Sequence, residues 1–245
     1  MTINNERKAL ICFISNLLKD CNHVAVGASS PIPGAAALLA RQMWNAPRHI
    51  NILGSVKNNF FTNGAQELFD CAAQGRIDAF FLGGGQIDGG ANINLMGRGE
   101  YPHQKPRWPG TFGSAYLYFL IPKVILFREE HTRRVLVDKV DFISAPGTSD
   151  ETVYRQGGPY GLLTNKAFFR FQKDTKRFRL VTVHPGSSLE DILDNTGFAF
   201  DYDKTVPVTS KPDTALLDML EQDVSKSVGE IYPQFAQSLF GDTVA

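Results

Sequence analysis

What this chain has little of narrows its function first. Only three cysteines occur in 245 residues, Cys12, Cys21 and Cys71, an odd number without metal-ligand spacing. That excludes a disulfide framework and a cysteine-based metal site, and fits thiols serving as small apolar filler in a reducing compartment. Net charge is missing as well, since Lys plus Arg and Asp plus Glu both number 25. No global field therefore draws the chain to nucleic acid or to an anionic membrane. The first apolar stretch is broken by Asn16 and Lys19 and follows the polar residues Asn4, Asn5, Glu6, Arg7 and Lys8. It is too short for a transmembrane span and carries no convincing cleavage site, so a cytoplasmic protein is expected. Internal repeats, low-complexity tracts and a clear linker are all absent from the sequence. With 43% hydrophobic and 20% charged residues the chain has enough apolar material for a sizeable core, and residues 1–245 are expected to form one domain.

What is present alternates between helix and strand periods. Leu10, Phe13, Ile14, Leu17 and Leu18 recur on one helical face. A strand over residues 23–26 ends at Gly27, and Ser29 or Ser30 is placed to cap a helix running from about Pro31 to Met43. A second strand over 50–53 closes at Gly54, a short helix covers 66–74, and a third strand over 77–82 runs into Gly83. Further strands are expected at 123–127, 139–143 and 162–165, followed by a hairpin of 168–171 and 178–183 around Lys173, Asp174, Thr175 and Lys176. Helices are expected over 188–195, capped by Ser187 or Ser188, and over 212–223 as the last element. This grammar is that of an α/β, three-layer fold: a mostly parallel open sheet flanked by helices, with a small β-hairpin region in the C-terminal half. Ligands of such sheets bind beyond the carboxyl ends of the strands, where Gly27, Gly54 and Gly83 stand.

Two glycine clusters carry the chemical signal. Gly83, Gly84 and Gly85 follow the apolar run 79–82 directly, and three glycines after a strand leave backbone N–H groups open to another molecule. Such donors can hold an oxyanion as it develops at a thioester carbonyl. Behind the basic residues Lys105 and Arg107 comes the second cluster, Gly110, Gly113 and Ser114. Fixed positive charge beside bare turns suits an anionic ligand with a long, thin body. Arg133 and Arg134 follow Glu129 and Glu130 closely, so local ion pairing is expected there. The five histidines are scattered, and only His103 lies between the two glycine clusters. No metal site is expected.

The ordered string GGGQID, NIN and GRGEYPHQKPRWPGTFGSA resembles the β-type subunit of class I CoA-transferases, the glutaconate CoA-transferase branch in particular. Gly27-Ala28-Ser29-Ser30-Pro31 and Ala46-Pro47 upstream stand in family order, as do residues 133–134, 139–142, 144–147, 184–186 and 195–198 downstream. The resemblance covers about residues 10 to 225. It implies a hetero-oligomer with an α-type subunit, an acyl-CoA substrate that brings coenzyme A with it, and no tightly bound cofactor. In that picture Gly83, Lys105, Arg107, Gly110, Gly113 and Ser114 contact coenzyme A, while Gly54, Ser55, Gly84 and Gly85 face the reaction.

The family works through a glutamate on the β-type chain that forms an anhydride and then a thioester with CoA. Counting onward without gaps from Ala46-Pro47 puts that position at Gly54, which has no side chain. Relatives that lack this glutamate open a ring hydrolytically in a steroid-derived CoA thioester or decarboxylate a glutaconyl-type CoA. The resemblance therefore implies hydrolysis or carbon–carbon cleavage. The alternatives are CoA transfer with a relocated or partner-supplied nucleophile, Glu67 and Glu100 being the carboxylates of this chain to weigh, and a non-catalytic binding subunit.

Overall fold

The computed structural model describes residues 3–241. Its elements begin with α1 (Ile3–Leu18), β1 (His23–Val26), α2 (Pro31–Trp44), β2 (His49–Ile52), α3 (Gly64–Ala73) and β3 (Ala79–Leu82). There follow β4 (Gln86–Ile87), β5 (Ile93–Asn94), α4 (Ser114–Leu120), β6 (Lys123–Arg128), β7 (Pro159–Thr164), β8 (Ala167–Gln172) and β9 (Arg177–Val183). The chain closes with α5 (Leu189–Asn195), α6 (Thr214–Met219), a π-helical turn (Leu220–Val224), α7 (Ser225–Ile231) and α8 (Pro233–Phe240). Two compact units result, one built from the residues up to Phe81 together with those from Ser210 onward, the other from Leu82–Thr209.

In the first unit β1 is the central strand, parallel to β2 on one side and to β3 on the other, with Val24 opposite both Ile50 and Ala79. Helix α2 is buried along residues 32–40, because it packs on α1, on β1 and β2, and on α6, the π turn and α7. Its alanines keep that contact close, and at Gly34 a Cβ would stand 2.7 Å from the Tyr232 ring. The C-terminal segment buries Leu216, Leu220, Val224 and Val228 at a spacing of four. On a regular α-helix that spacing drifts by about 40° per step; the wider π turn over residues 220–224 takes up the drift and keeps all four inward. Each buried side chain of this kind contributes about 1.5–3 kcal/mol.

In the second unit β6 pairs parallel with β7, and β7, β8 and β9 continue antiparallel. The hairpin turns at residues 173–176, as its polar sequence predicts. Phe169 and Phe178 are fully buried, and Phe169 meets Phe200 edge to face at 5.1 Å between centroids. The phenylalanines of β8 are thus core residues. The fold is α/β with mainly parallel pairing and a separate two-stranded antiparallel ladder, β4 with β5.

Three expectations are corrected. Residues 139–143 form no strand; the Val140 and Asp141 N–H groups are taken by the side chains of Asp88 and Gln86, at 3.4 and 3.0 Å, instead of a neighbouring strand. The helix starting near Pro212 is not the last element, since two more follow the π turn. Ser30 does precede α2, but its side chain makes no capping bond. Helix α5, by contrast, is capped as expected, Ser188 accepting from the Asp191 N–H at 3.2 Å.

Candidate functional site

In the first unit the exit of β2 makes a tight loop around Gly54. Gly54 is exposed, has a φ of +98°, and apart from its chain neighbours has no atom within 4 Å of where a Cβ would lie. Glycine is there for its backbone conformation, not for lack of room. Ser55 next to it is only 6% exposed. Its Oγ accepts from the Asn58 N–H at 2.9 Å and donates to Glu230 Oε2 at 3.0 Å, while Glu230 Oε1 accepts from the Val56 N–H at 2.9 Å. Arg41 of α2 donates to Asn58 Oδ1 at 2.7 Å, and Asn58 O accepts from the Ile52 N–H at 2.7 Å. Sequence reading singled out Gly54 and Ser55 but missed Glu230, which comes from α7 and is 175 residues from Ser55 in the chain. No local pattern announces a contact over that separation.

In the second unit the first glycine cluster is closely packed. A Cβ on Gly84 would lie 2.5 Å from Ile93 Cγ2 and 2.9 Å from the Gln86 carbonyl oxygen, and one on Gly83 would lie 3.0 Å from the Phe127 carbonyl oxygen. A Cβ on Gly85 would overlap the Trp108 ring, and the Gly85 N–H already donates to the Asn94 carbonyl at 2.9 Å. Close approach within the chain, more than openness to a ligand, is what glycine serves here. Gly83 and Gly85 remain half-buried and Gly84 is buried. The polar residues behind them form a hydrogen-bonded knot. Asp88 accepts from the N–H groups of Gly90 and Asn92 at 3.0 and 3.1 Å, and Asn94 Nδ2 donates to Gln86 Oε1 at 2.7 Å. Gln86 Nε2 in turn donates to Asp141 at 3.1 Å.

Trp108 ties the second cluster to the first, its ring on Gly85 and its backbone N–H on the Met96 carbonyl at 2.9 Å. Lys105 and Arg107 are exposed on the loop before it, with Arg107 Nη1 reaching the Pro102 carbonyl at 3.4 Å. Gly110 has a φ of +108° with open space around it, and Gly113 at +46° precedes α4. Ser114 is turned inward and donates to the Thr111 carbonyl at 2.5 Å, so its hydroxyl locks the turn.

Residues 12–195 match the coenzyme A transferase family. The chain belongs to that family. It is 32% identical over 151 residues to the B subunit of glutaconate CoA-transferase from Acidaminococcus fermentans, covering 59% of this chain and 56% of that one. Against the B subunit of 3-oxoadipate CoA-transferase from Pseudomonas knackmussii it is 30% identical, with 60% and 58% covered. The IpdB subunit of the cholesterol ring-cleaving hydrolase from Rhodococcus jostii is 28% identical, with 54% and 53% covered. The match thus spans little more than half the length of these relatives. The fold agrees over nearly the whole chain with the glutaconate CoA-transferase structure (TM-score 0.79, 23% identity, 97% of each chain). It also agrees with the decarboxylase AibA/AibB (TM-score 0.75, 22% identity, 96% and 98%).

The remaining candidates of this family member have structural work. Glu67 accepts from the N–H groups of Thr62 and Asn63 at 2.7 and 3.2 Å ahead of α3; the Asn63 and Thr62 amides hold its carboxyl below the usual range. Glu100 is exposed, and its carbonyl accepts from the His103 N–H at 2.8 Å. Arg134 pairs with Glu130 as expected, whereas Arg133 donates to the Asp194 and Leu193 carbonyls at the end of α5, at 2.6 and 3.3 Å. His131 is buried between the Thr164 and Thr196 hydroxyls at 2.8 and 3.0 Å, and burial, helped by the charge of Lys166, pushes its pKa down to about 4. Among the described residues no group of three or more metal-ligating side chains could hold an ion, and no helix is long and apolar enough to cross a membrane.

Proposed function

We propose that this chain is the β-type subunit of a hetero-oligomeric, cytoplasmic enzyme acting on acyl-CoA thioesters, by hydrolysis or carbon–carbon cleavage in place of a covalent CoA relay. Residues 1–245 act together with an α-type companion, and coenzyme A arrives as part of the substrate. The observation that carries this reading is Gly54: at the position counted to the family's glutamate there is no carboxylate but an exposed glycine with open space around it. A water or a carbonyl group can occupy that space. Gly83, Lys105, Arg107, Gly110, Gly113 and Ser114 serve the coenzyme, the two basic side chains as charge and Ser114 by fixing its turn. The relatives named as a hydrolase and a decarboxylase support the same direction.

A second reading keeps CoA transfer with a relocated nucleophile, and the higher identity to the two transferase subunits, 32% and 30% against 28%, favours it. Mass spectrometry of the co-expressed two-subunit complex separates the two. After incubation with an acyl-CoA and trapping by borohydride or hydroxylamine, every carboxylate of this chain is expected to be unmodified. A trapped adduct on Glu67, Glu100 or another carboxylate of this chain means transfer; no partner-dependent CoA release at all means a non-catalytic role in binding.

A further inference from the structure

We infer that Glu230 is the proton-accepting carboxylate of the Gly54 loop, acting through the Ser55 hydroxyl; this rests on the acyl-CoA reading above. The chain that lacks a carboxylate at the end of β2 brings one there from α7. Both oxygens of Glu230 are engaged by this one loop, Oε2 by Ser55 Oγ at 3.0 Å and Oε1 by the Val56 N–H at 2.9 Å. A two-point grip of this kind fixes the carboxylate in position and in orientation. Of these two hydrogen-bond partners of Ser55 Oγ, Glu230 and the Asn58 N–H, only Glu230 can accept its proton, because the Asn58 N–H is itself a donor. The hydroxyl therefore points its hydrogen at Glu230 and keeps a lone pair for a donor on the other side. Gly54, the preceding residue, is exposed, and apart from its chain neighbours no atom stands within 4 Å of where its Cβ would lie.

The step is hydrolysis. A water beside Gly54 adds to the thioester carbonyl carbon, its proton passes to Ser55 Oγ, and the Ser55 proton passes to Glu230. The C–S bond then breaks, the coenzyme A thiolate recovers the proton from Glu230 through Ser55, and a carboxylic acid leaves. Glu230 is thus a positioning residue and proton acceptor and forms no covalent bond to the substrate.

The test uses the co-expressed two-subunit complex with glutaconyl-CoA and 3-oxoadipyl-CoA as probes, followed by release of the CoA thiol. Glu230→Gln keeps the size of the side chain and an acceptor for the Val56 N–H, so its melting temperature stays near wild type. Its kcat is expected to fall about 10²–10⁴-fold, the range of general base catalysis, with KM little changed. Ser55→Ala falls similarly, the double variant falls no further, and Glu230→Asp recovers part of the rate. Wild-type kcat in Glu230→Gln, with only Glu230→Ala unstable, overturns the proton role and leaves a purely structural contact. If the wild-type complex neither releases thiol from the probes nor has Glu230 protected by coenzyme A against carbodiimide-driven amidation, the acyl-CoA reading itself fails, and this inference with it.

Discussion

At the scale of single residues, several positions that read as ligand contacts are set by packing. Gly84 is the clearest. A branched side chain would meet Ile93 Cγ2 at 2.5 Å and the Gln86 carbonyl at 2.9 Å, so Gly84→Val is expected to lose about 1–3 kcal/mol of stability by overpacking. A thermal melt checks this before any assay, and unchanged stability with abolished turnover would return the residue to a purely ligand-facing role. His131 gives a second prediction. Its pKa lies near 4 in the fold against an ordinary 6.5, so between these values the unfolded chain binds the proton and the folded chain does not. Stability is complete above pH 6.5 and falls as pH drops toward 4, by on the order of 3 kcal/mol for this ring at about 1.4 kcal/mol per pKa unit. Buried His184, also near 4, adds to the same slope. Urea unfolding at pH 7 and pH 5 measures it, and His131→Gln is expected to make the curve flatter.

At the scale of elements, the strands and helices with strong periodicity were legible. β1 has the span read from the sequence, α2 ends within one residue of it, and the hairpin turns where its polar residues stand. What escaped was structure held by side chains. Residues 139–143 look like a strand in composition, yet Gln86 and Asp88 supply the acceptors that a strand would have found in a neighbour. The motif around Asp88 therefore signals a loop scaffold before it signals chemistry. Asp88→Ala removes the acceptor of the Gly90, Asn92 and Val140 N–H groups. It is expected to cost at least about 1.5–3 kcal/mol, the range for one hydrogen bond to a charged group. Faster amide exchange at Val140 and Asn92 would accompany the lower melting temperature; native exchange at both would contradict the scaffold role.

At the scale of the whole molecule, the first unit is discontinuous in sequence, and this decides how it can be cut. Helices α6 and α7 and the π turn cover the buried length of α2. A chain ended at Thr209 is expected to lose hydrogen-exchange protection across residues 31–44, and retained protection there would mean that α2 is held by α1 and the strands alone. The same discontinuity explains why half of the candidate site was illegible: Gly54 and Ser55 announce themselves at a strand end, but Glu230, which holds Ser55 and Val56, is placed by tertiary folding. It also gives the site a birth order. Val56 leaves the ribosome 174 residues ahead of the glutamate that will hold it, an interval of roughly 9–35 s at 5–20 residues per second. Throughout that time the loop exists without its carboxylate, so the Ser55 hydroxyl and the Val56 N–H wait for their shared partner until α7 is made.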